Sequence, residues 1–270
     1  GYYDNYCYLP LYVFCGQELL VSYLRPANID GAHHAAAIVK LLVKKLRAAW
    51  PEVHITVRAD SGFCRRRLLL WCERHGVDYV IGLARNNRLA ALAQPAINAA
   101  ETRFEKDKLK HRDFAEIHYA AKTWARKRRV IVRTEHGEQG SNPRYVVTNR
   151  QDAPATIYDA IYCQRGEMEN RIKEQQLGLF ADRTSCSAWW PNQFRLLLAS
   201  LAYTLMQNIR SHALAGTELA KAQCTTIRLK LFKIGAVIIH SVRRIRFLLP
   251  SACPYRELFA LAAQRLAPSG

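Results

Sequence analysis

The sequence is poor in acid. Its 270 residues hold 22 Asp and Glu against 40 Lys and Arg, a formal net charge of +18. An excess of that size argues against an ordinary enzyme for a small neutral substrate. It asks for a polyanionic partner, with nucleic acid ahead of an anionic membrane. Long apolar runs are also missing. The longest, Leu196 to Met206, carries Ser200, Tyr203 and Thr204 and is too short to cross a bilayer, so it reads as a buried soluble helix. Paired cysteines are missing too. Residues 7, 15, 64, 72, 163, 186, 224 and 253 are cysteines, yet none forms a CxxC pair and no Cys/His cluster has zinc spacing. A chain this long is no small disulfide scaffold. Thiols set in apolar runs suit reduced cysteines, and hence the cytoplasm. No repeat, low-complexity tract or signal peptide is visible. The first residue is Gly1 rather than Met, which reads as a processed chain or a fragment whose missing start could hide a leader.

What the sequence does have is apolar bulk. Half of it is hydrophobic, enough for a sizeable core in one or two domains and too much for a disordered chain. Cys7 to Phe14 and Leu19 to Leu24 read as a hairpin, with Pro10 marking an edge or a bulge. Asp30 can cap a helix over 32–50, with Ile38, Leu41, Leu42 and Leu46 as its apolar face and Lys45 as a blemish. Val53, Ile55 and Val57 alternate as a strand that ends at Arg58-Ala59-Asp60. Ser61-Gly62 turns the chain into a basic helix over 64–75, stopped by Gly76. Val77 to Ala84 is nearly all apolar, as in a strand buried on both faces. Residues 1–85 thus read β-β-α-β-α-β, an α/β layout. Residues 86–153 are richer in charge, with alternating runs at 115–119, 129–134 and 144–148, and read as a β-rich insertion. From Pro154 onward the chain reads as helical, over 155–177, 190–214 and 254–266.

Two acidic positions stand out. Asp60 follows a strand directly, where α/β sheets gather functional groups. Taken alone it reads first as a cap or turn aspartate. Tyr162, Arg165, Glu169 and Lys173 fall at spacings that put them on one stripe of a helix. Arg can grip a phosphate in bidentate fashion and Glu can ligate Mg²⁺. Taken alone, that stripe reads first as a solvated, salt-bridged face.

Together the segments say more. RADSGF at 58–63, YVIGLARN at 79–86 and YCQRGEMENRIKE at 162–174, followed by LGLFADRTSC, resemble the DDE-type transposases of bacterial insertion sequences. The likeness is closest to the subgroup with a β-rich insertion and a Y-x2-R-x3-E signature, matched by Tyr162, Arg165 and Glu169. It runs through the whole chain, including the opening GYYDNYCYLPLYVFCG. The resemblance implies an RNase H-like core, with residues 1–85 as its first part and 86–153 as the insertion. Residues 154–186 would complete the core with the catalytic helix, and 187–270 would form a helical C-terminal region. It implies three carboxylates holding two divalent metals, Mg²⁺ or Mn²⁺, with Asp60 as the second and Glu169 as the third. It further implies that Arg165 contacts phosphate near the cut and that Tyr162 supports or stacks on the flanking strand. Partners would be inverted-repeat and target DNA, with a homodimer on paired ends, no membrane, and a cytoplasmic, nucleoid-associated place in a bacterium.

Two departures matter. The signature continues with Lys seven residues after Glu, but Gln176 stands there, so Lys173 is the substitute candidate for that phosphate contact. The first carboxylate is expected upstream of GYY, on a first core strand that this chain lacks. Asp4 does not match that motif and reads as a turn residue. The expectation is therefore an N-terminally truncated transposase fragment, inactive alone. The alternative is a non-catalytic DNA-binding remnant or regulator of transposition. A different RNase H-like nuclease, such as a resolvase, fits the Y-x2-R-x3-E helix less well. Arg65 to Arg67, Lys122 to Arg133 and Arg228 to Arg246 are the basic segments expected to meet phosphate. Asn192 and Arg195 are expected on a helix surface, where they could track DNA. Trp189-Trp190 read as core packing before base stacking.

Overall fold

A computed structural model describes residues 7–267; Asp4 lies outside them. The chain is mixed α/β and divides into two compact units, one of residues 28–167 and one of residues 1–27 with 168–270.

The first unit is built on a mixed sheet. Helix α1 (Ala35–Ala49) precedes strand β3 (Thr56–Ala59), the short 3₁₀ turn Ser61–Phe63, helix α2 (Arg66–Arg74) and strand β4 (Asp78–Leu83). Helix α3 (Asn87–Asp107) leads to β5 (Arg112–Tyr119), β6 (Arg128–Gly137), β7 (Gly140–Ser141) and β8 (Arg144–Thr148). The strand order is β3-β4-β8-β6-β5, with β7 paired to β6. Only β3 and β4 run parallel; the neighbours from β4 to β5 are antiparallel. The expected strands at 115–119, 129–134 and 144–148 are therefore present, and they continue the same sheet as β3 and β4.

Alternation along the strands separates two cores. Tyr79, Ile81, Val130, Val132, Tyr145 and Val147 face one way and pack with Val43 of α1, Leu68, Leu69 and Cys72 of α2, and Leu89, Ala93 and Ile97 of α3. Val80, Ile131 and Val146 face the other way and pack with Ile157 and Tyr158. A period of two on central strands gives this result, and it accounts for the unbroken apolar run at 77–84. The face expected for α1 is corrected. Val43 is buried and Ala36 and Val39 pack beside it, whereas Leu41 is exposed.

Helix α3 is absent from the sequence reading. Asn86 caps it, its side chain accepting a hydrogen bond from the Leu89 amide, and Lys108 ends it in the left-handed region. Pro95 lies inside it, and that proline with the surrounding charge hides its period in the sequence.

One polar group sits inside this core. Arg128 and Glu73 form an ion pair at 2.6 Å with side chains 2% and 7% exposed. Tyr79 donates a further hydrogen bond to Glu73. Burial pushes the Glu73 carboxyl up, but the bonds from Arg128 and Tyr79 and the charges of Arg128 and Arg126 outweigh it, and the net shift is down.

The second unit contains the hairpin β1 (Leu11–Cys15) and β2 (Glu18–Tyr23), a two-stranded sheet with a bulge between Val13 and Phe14. Gly16 takes the positive φ its turn requires. The hairpin lies on helix α5 (Trp189–Asn208): Tyr12, Leu24, Leu196 and Ala199 share a core, and Gln193 accepts a hydrogen bond from the Leu24 amide. Only one face of α5 is buried, which corrects the reading of 196–206 as a buried helix. Phe194, Leu197, Leu198, Leu201 and Leu205 are exposed. Among the described residues no helix is long and apolar enough to cross a membrane. Helix α6 (Cys224–Ile227), the turn Arg228–Phe232 and helix α7 (Arg256–Leu266) form a further cluster with Met206 and Leu214. Between them a second hairpin, β9 (Val237–His240) and β10 (Ile245–Leu248), is exposed along its whole length. The cysteines are free thiols.

Removing one member of a buried pair leaves the other charge uncompensated. Glu73→Ala is expected to cost about 3–5 kcal/mol, read from urea denaturation. The carboxyl titrates below the ordinary glutamate range, so its contribution is complete above the unfolded-state value and is lost as pH falls through the folded one. The acid limb of the stability curve should be shallower in Glu73→Gln.

Candidate active site

The segment 156–178 is helical throughout but not uniform. Wide π-type turns cover Thr156–Tyr162, a 3₁₀ turn covers Cys163–Arg165, helix α4 is Gly166–Lys173, and a second wide turn is Glu174–Gly178. Such changes of pitch within a helix are common at functional sites, because they re-aim side chains. Its first part, through Glu167, belongs to the first unit, and the chain passes into the second unit at Met168.

The sheet holds that first part in three ways. Ile157, Tyr158, Ile161 and Tyr162 pack on Val80, Ile131 and Val146. Arg58, near the end of β3, donates to the Ile161 carbonyl at 2.8 Å and to Gln164 Oε1 at 3.0 Å. Burial lowers the Arg58 pKa, and the Glu167 charge opposes that. Third, Gly82 on β4 leaves space where the Tyr162 hydroxyl and the backbone of Asp60 and Ser61 converge.

Asp60 stands at the C-terminal end of β3, two residues after Arg58. Its Oδ1 accepts a hydrogen bond from the Gly62 amide at 2.8 Å, so it does cap the Ser61–Phe63 turn. Among the described residues its Oδ2 takes no hydrogen bond or ion pair, and the side chain is half-buried. One hard oxygen is thus open to a cation. Mg²⁺ suits such a place, since it is held by one or two carboxylates and completes its shell with water and phosphate oxygens. Burial pushes the thiol of Cys64, four residues on, up to about 11, and its soft sulfur is a poor match for Mg²⁺, which prefers oxygen.

Tyr162 and Arg165 keep company, with the guanidinium 5.7 Å from the tyrosine ring, within cation–π range. Tyr158 lies 5.5 Å from the same ring. The structure therefore brings Tyr162 and Arg165 together, and brings Tyr162 to the Asp60–Ser61 backbone. Glu169 and Lys173 lie further along, on α4 in the second unit, and both are exposed. In that unit the following turn is anchored at Glu174, which pairs with Arg210 and accepts a hydrogen bond from the Cys224 amide. Among the described residues no three His, Cys, Asp or Glu side chains form a group that could hold a metal.

The basic segments divide. In Lys122 to Arg133, Arg126 and Arg128 pair with Glu73, Arg129 with Glu116 and Arg133 with Glu135. That stretch is thus mostly committed within the fold. Arg65 pairs with Asp30, while Arg66 and Arg67 are exposed. Arg228 donates to the Gly178 carbonyl, whereas Arg243, Arg244 and Arg246 stand exposed on the β9–β10 hairpin. Asn192 is a correction: it is fully buried and binds the backbone of Cys186 and Ala188. Arg195 is on the surface, bonded to Ser185. Trp189 packs against the first hairpin and donates to the Leu24 carbonyl, and Trp190 is exposed.

Arg58 and Gly82 are absent from the residues expected in the site. A signal for each is present in the sequence. Arg58 lies on the same side of its strand as Asp60, and a lone glycine in an apolar strand marks a close approach of another group.

The family described as transposase DDE domain group 1 matches residues 1–270. No curated protein matches the chain.

Losing the Arg58 donor should loosen the segment it holds. Arg58→Ala is expected to cost about 1.5–3 kcal/mol, the range for hydrogen bonds from a charged group. Amide hydrogen exchange over residues 158–166 should accelerate in that variant. Unchanged protection there would mean that the apolar contacts alone hold the segment.

Proposed function

The chain belongs to the family of transposase DDE domains, and from that premise we propose that it acts in metal-dependent cleavage and strand transfer at the ends of a bacterial insertion sequence. The observation that carries the reading is the match of that family along the whole chain. A transposase family implies DNA as the partner, and the +18 charge suits one.

In this reading β3 and β4 belong to the RNase H-like core, residues 86–153 are its β-rich insertion, and Asp60 and Glu169 are the two carboxylates that the family resemblance assigns to the metal set. Two Mg²⁺ or Mn²⁺ ions held there would supply an activated water or 3′-hydroxyl and a stabilised leaving oxygen. The chain's own part is to place the strand. Arg165 grips a phosphate beside the cut, and its planar fork suits two oxygens at once. Tyr162 supports the flanking nucleotide. Lys173, one turn past Glu169, adds a point charge for a further phosphate. The exposed Arg243, Arg244 and Arg246 of the second unit offer further phosphate contacts, and a homodimer would join two ends.

A second reading is DNA binding without cleavage. The capping bond from Gly62 to Asp60 favours it, because a turn aspartate needs no metal to explain it.

The two readings separate on inverted-repeat DNA when the chain is joined to an upstream strand that supplies the expected first carboxylate. The first predicts nicking that needs Mg²⁺ or Mn²⁺ and disappears in Asp60→Asn and in Glu169→Gln, with DNA affinity kept. Nicking that survives both substitutions would sink the site assignment, and salt-sensitive binding with no nicking under any metal would favour the second reading. For the hairpin, replacing Arg243, Arg244 and Arg246 by Ala should flatten the plot of log affinity against log salt. The slope should fall by about 0.9 for each phosphate that the hairpin no longer neutralises.

A further inference from the structure

Strand β4 is apolar and buried along most of its length, and one position in it has no side chain. A Cβ built on Gly82 would meet the Tyr162 hydroxyl at 2.6 Å, the Ser61 amide nitrogen at 2.9 Å and the Asp60 carbonyl carbon at 3.3 Å. Real Cβ atoms essentially never approach other atoms closer than 3.0 Å. Three groups from two elements therefore converge on the bare Cα, and the Tyr162 hydroxyl and the Ser61 nitrogen share one small space. The backbone atoms have no freedom to leave it without breaking the Asp60 turn. The tyrosine does have freedom, since its hydroxyl is the far end of a side chain. A methyl group at position 82 would displace the Tyr162 hydroxyl, which a side-chain rotation can move, and would also press on the Ser61 nitrogen, which only a backbone shift at the turn can relieve.

We propose that Gly82 is a positioning residue. Its missing Cβ lets the Tyr162 hydroxyl settle against the Asp60–Ser61 backbone, so that a DNA-contacting tyrosine and a metal-binding aspartate work at one place. This rests on the reading of Asp60 and Tyr162 given above. Arg58 acts toward the same end from the neighbouring strand, fixing the backbone at Ile161. Glycine is required at 82 for space. Its backbone is that of an ordinary strand and does not take a positive φ.

The test uses the full chain labelled with 3-fluorotyrosine and followed by fluorine NMR. The Tyr162 resonance is the one that vanishes in Tyr162→Phe. Gly82→Ala should shift it by more than its linewidth and leave most other tyrosines in place. Added Mn²⁺ should broaden it in the parent protein, less in Gly82→Ala, and not at all in Asp60→Asn. A Tyr162 resonance that stays put in Gly82→Ala overturns the proposal, whatever Mn²⁺ does. A resonance that moves in Gly82→Ala but is never broadened by Mn²⁺ supports the placement of Tyr162 and defeats the metal reading of Asp60 alone. If Gly82→Ala does not fold, the Ser61 amide resonance in Tyr162→Phe decides: it shifts if the hydroxyl lies against it, and an unmoved amide overturns the proposal.

Discussion

The Arg58 guanidinium reaches from the end of β3 to the Ile161 carbonyl and to Gln164, and the geometry around Asp60 depends on that reach. A strand end fixes its own residues by ladder bonds, but it cannot fix a helix that crosses it. Here the arginine does so, two residues before the carboxylate and on the same side of the strand. Apolar packing of Ile157 and Tyr158 on Val80, Ile131 and Val146 supplies bulk attraction without direction. The two hydrogen bonds supply the direction. The bare backbone at Gly82 then lets Tyr162 close the remaining distance. Register, packing and a missing side chain thus bear on one segment.

The positive charge has two uses, and its sum hides the division. Arg128 serves the core, held by Glu73 and stacked within 4.8 Å of the Trp124 ring. Arg129 and Arg150 brace strand ends through carboxylates and backbone carbonyls. Arginine suits this work because its fork makes several directed bonds at once. What remains for a polyanion is the exposed set, notably Arg66, Arg67, Arg243, Arg244 and Arg246. The long basic stretch at 122–133 looks most like a DNA contact in the sequence, yet it is the most committed internally.

Much of the fold is legible in the residues. The strands over 56–59, 78–83 and 144–148, the stop at Gly76 and the helical character of 156–178 all follow from local period and turn chemistry. Helix α3 does not, because Pro95 and its charges mask an amphipathic face that only the sheet reveals. The hairpin at 237–248 does not either: its apolar and basic residues stand with neither face buried, so the usual contrast is missing. In the candidate site, Asp60, Tyr162 and Arg165 stand out in the sequence through motif and spacing. Arg58 acts on a carbonyl 103 residues further along the chain, and Gly82 makes room for a tyrosine from the same distant helical segment. No local pattern announces either partner. Asn192 departs from its expected place for a related reason, since a polar residue on a helix is exposed by default and becomes buried only when backbone groups meet it.

The central claim is that Asp60 holds a divalent cation for DNA chemistry. It is tested most directly by electron paramagnetic resonance of Mn²⁺ added to the full chain on inverted-repeat DNA. The account predicts bound Mn²⁺ in the parent complex and its loss in Asp60→Asn, with the DNA still bound. Equal Mn²⁺ binding in both proteins would contradict it and leave Asp60 as the cap of a turn.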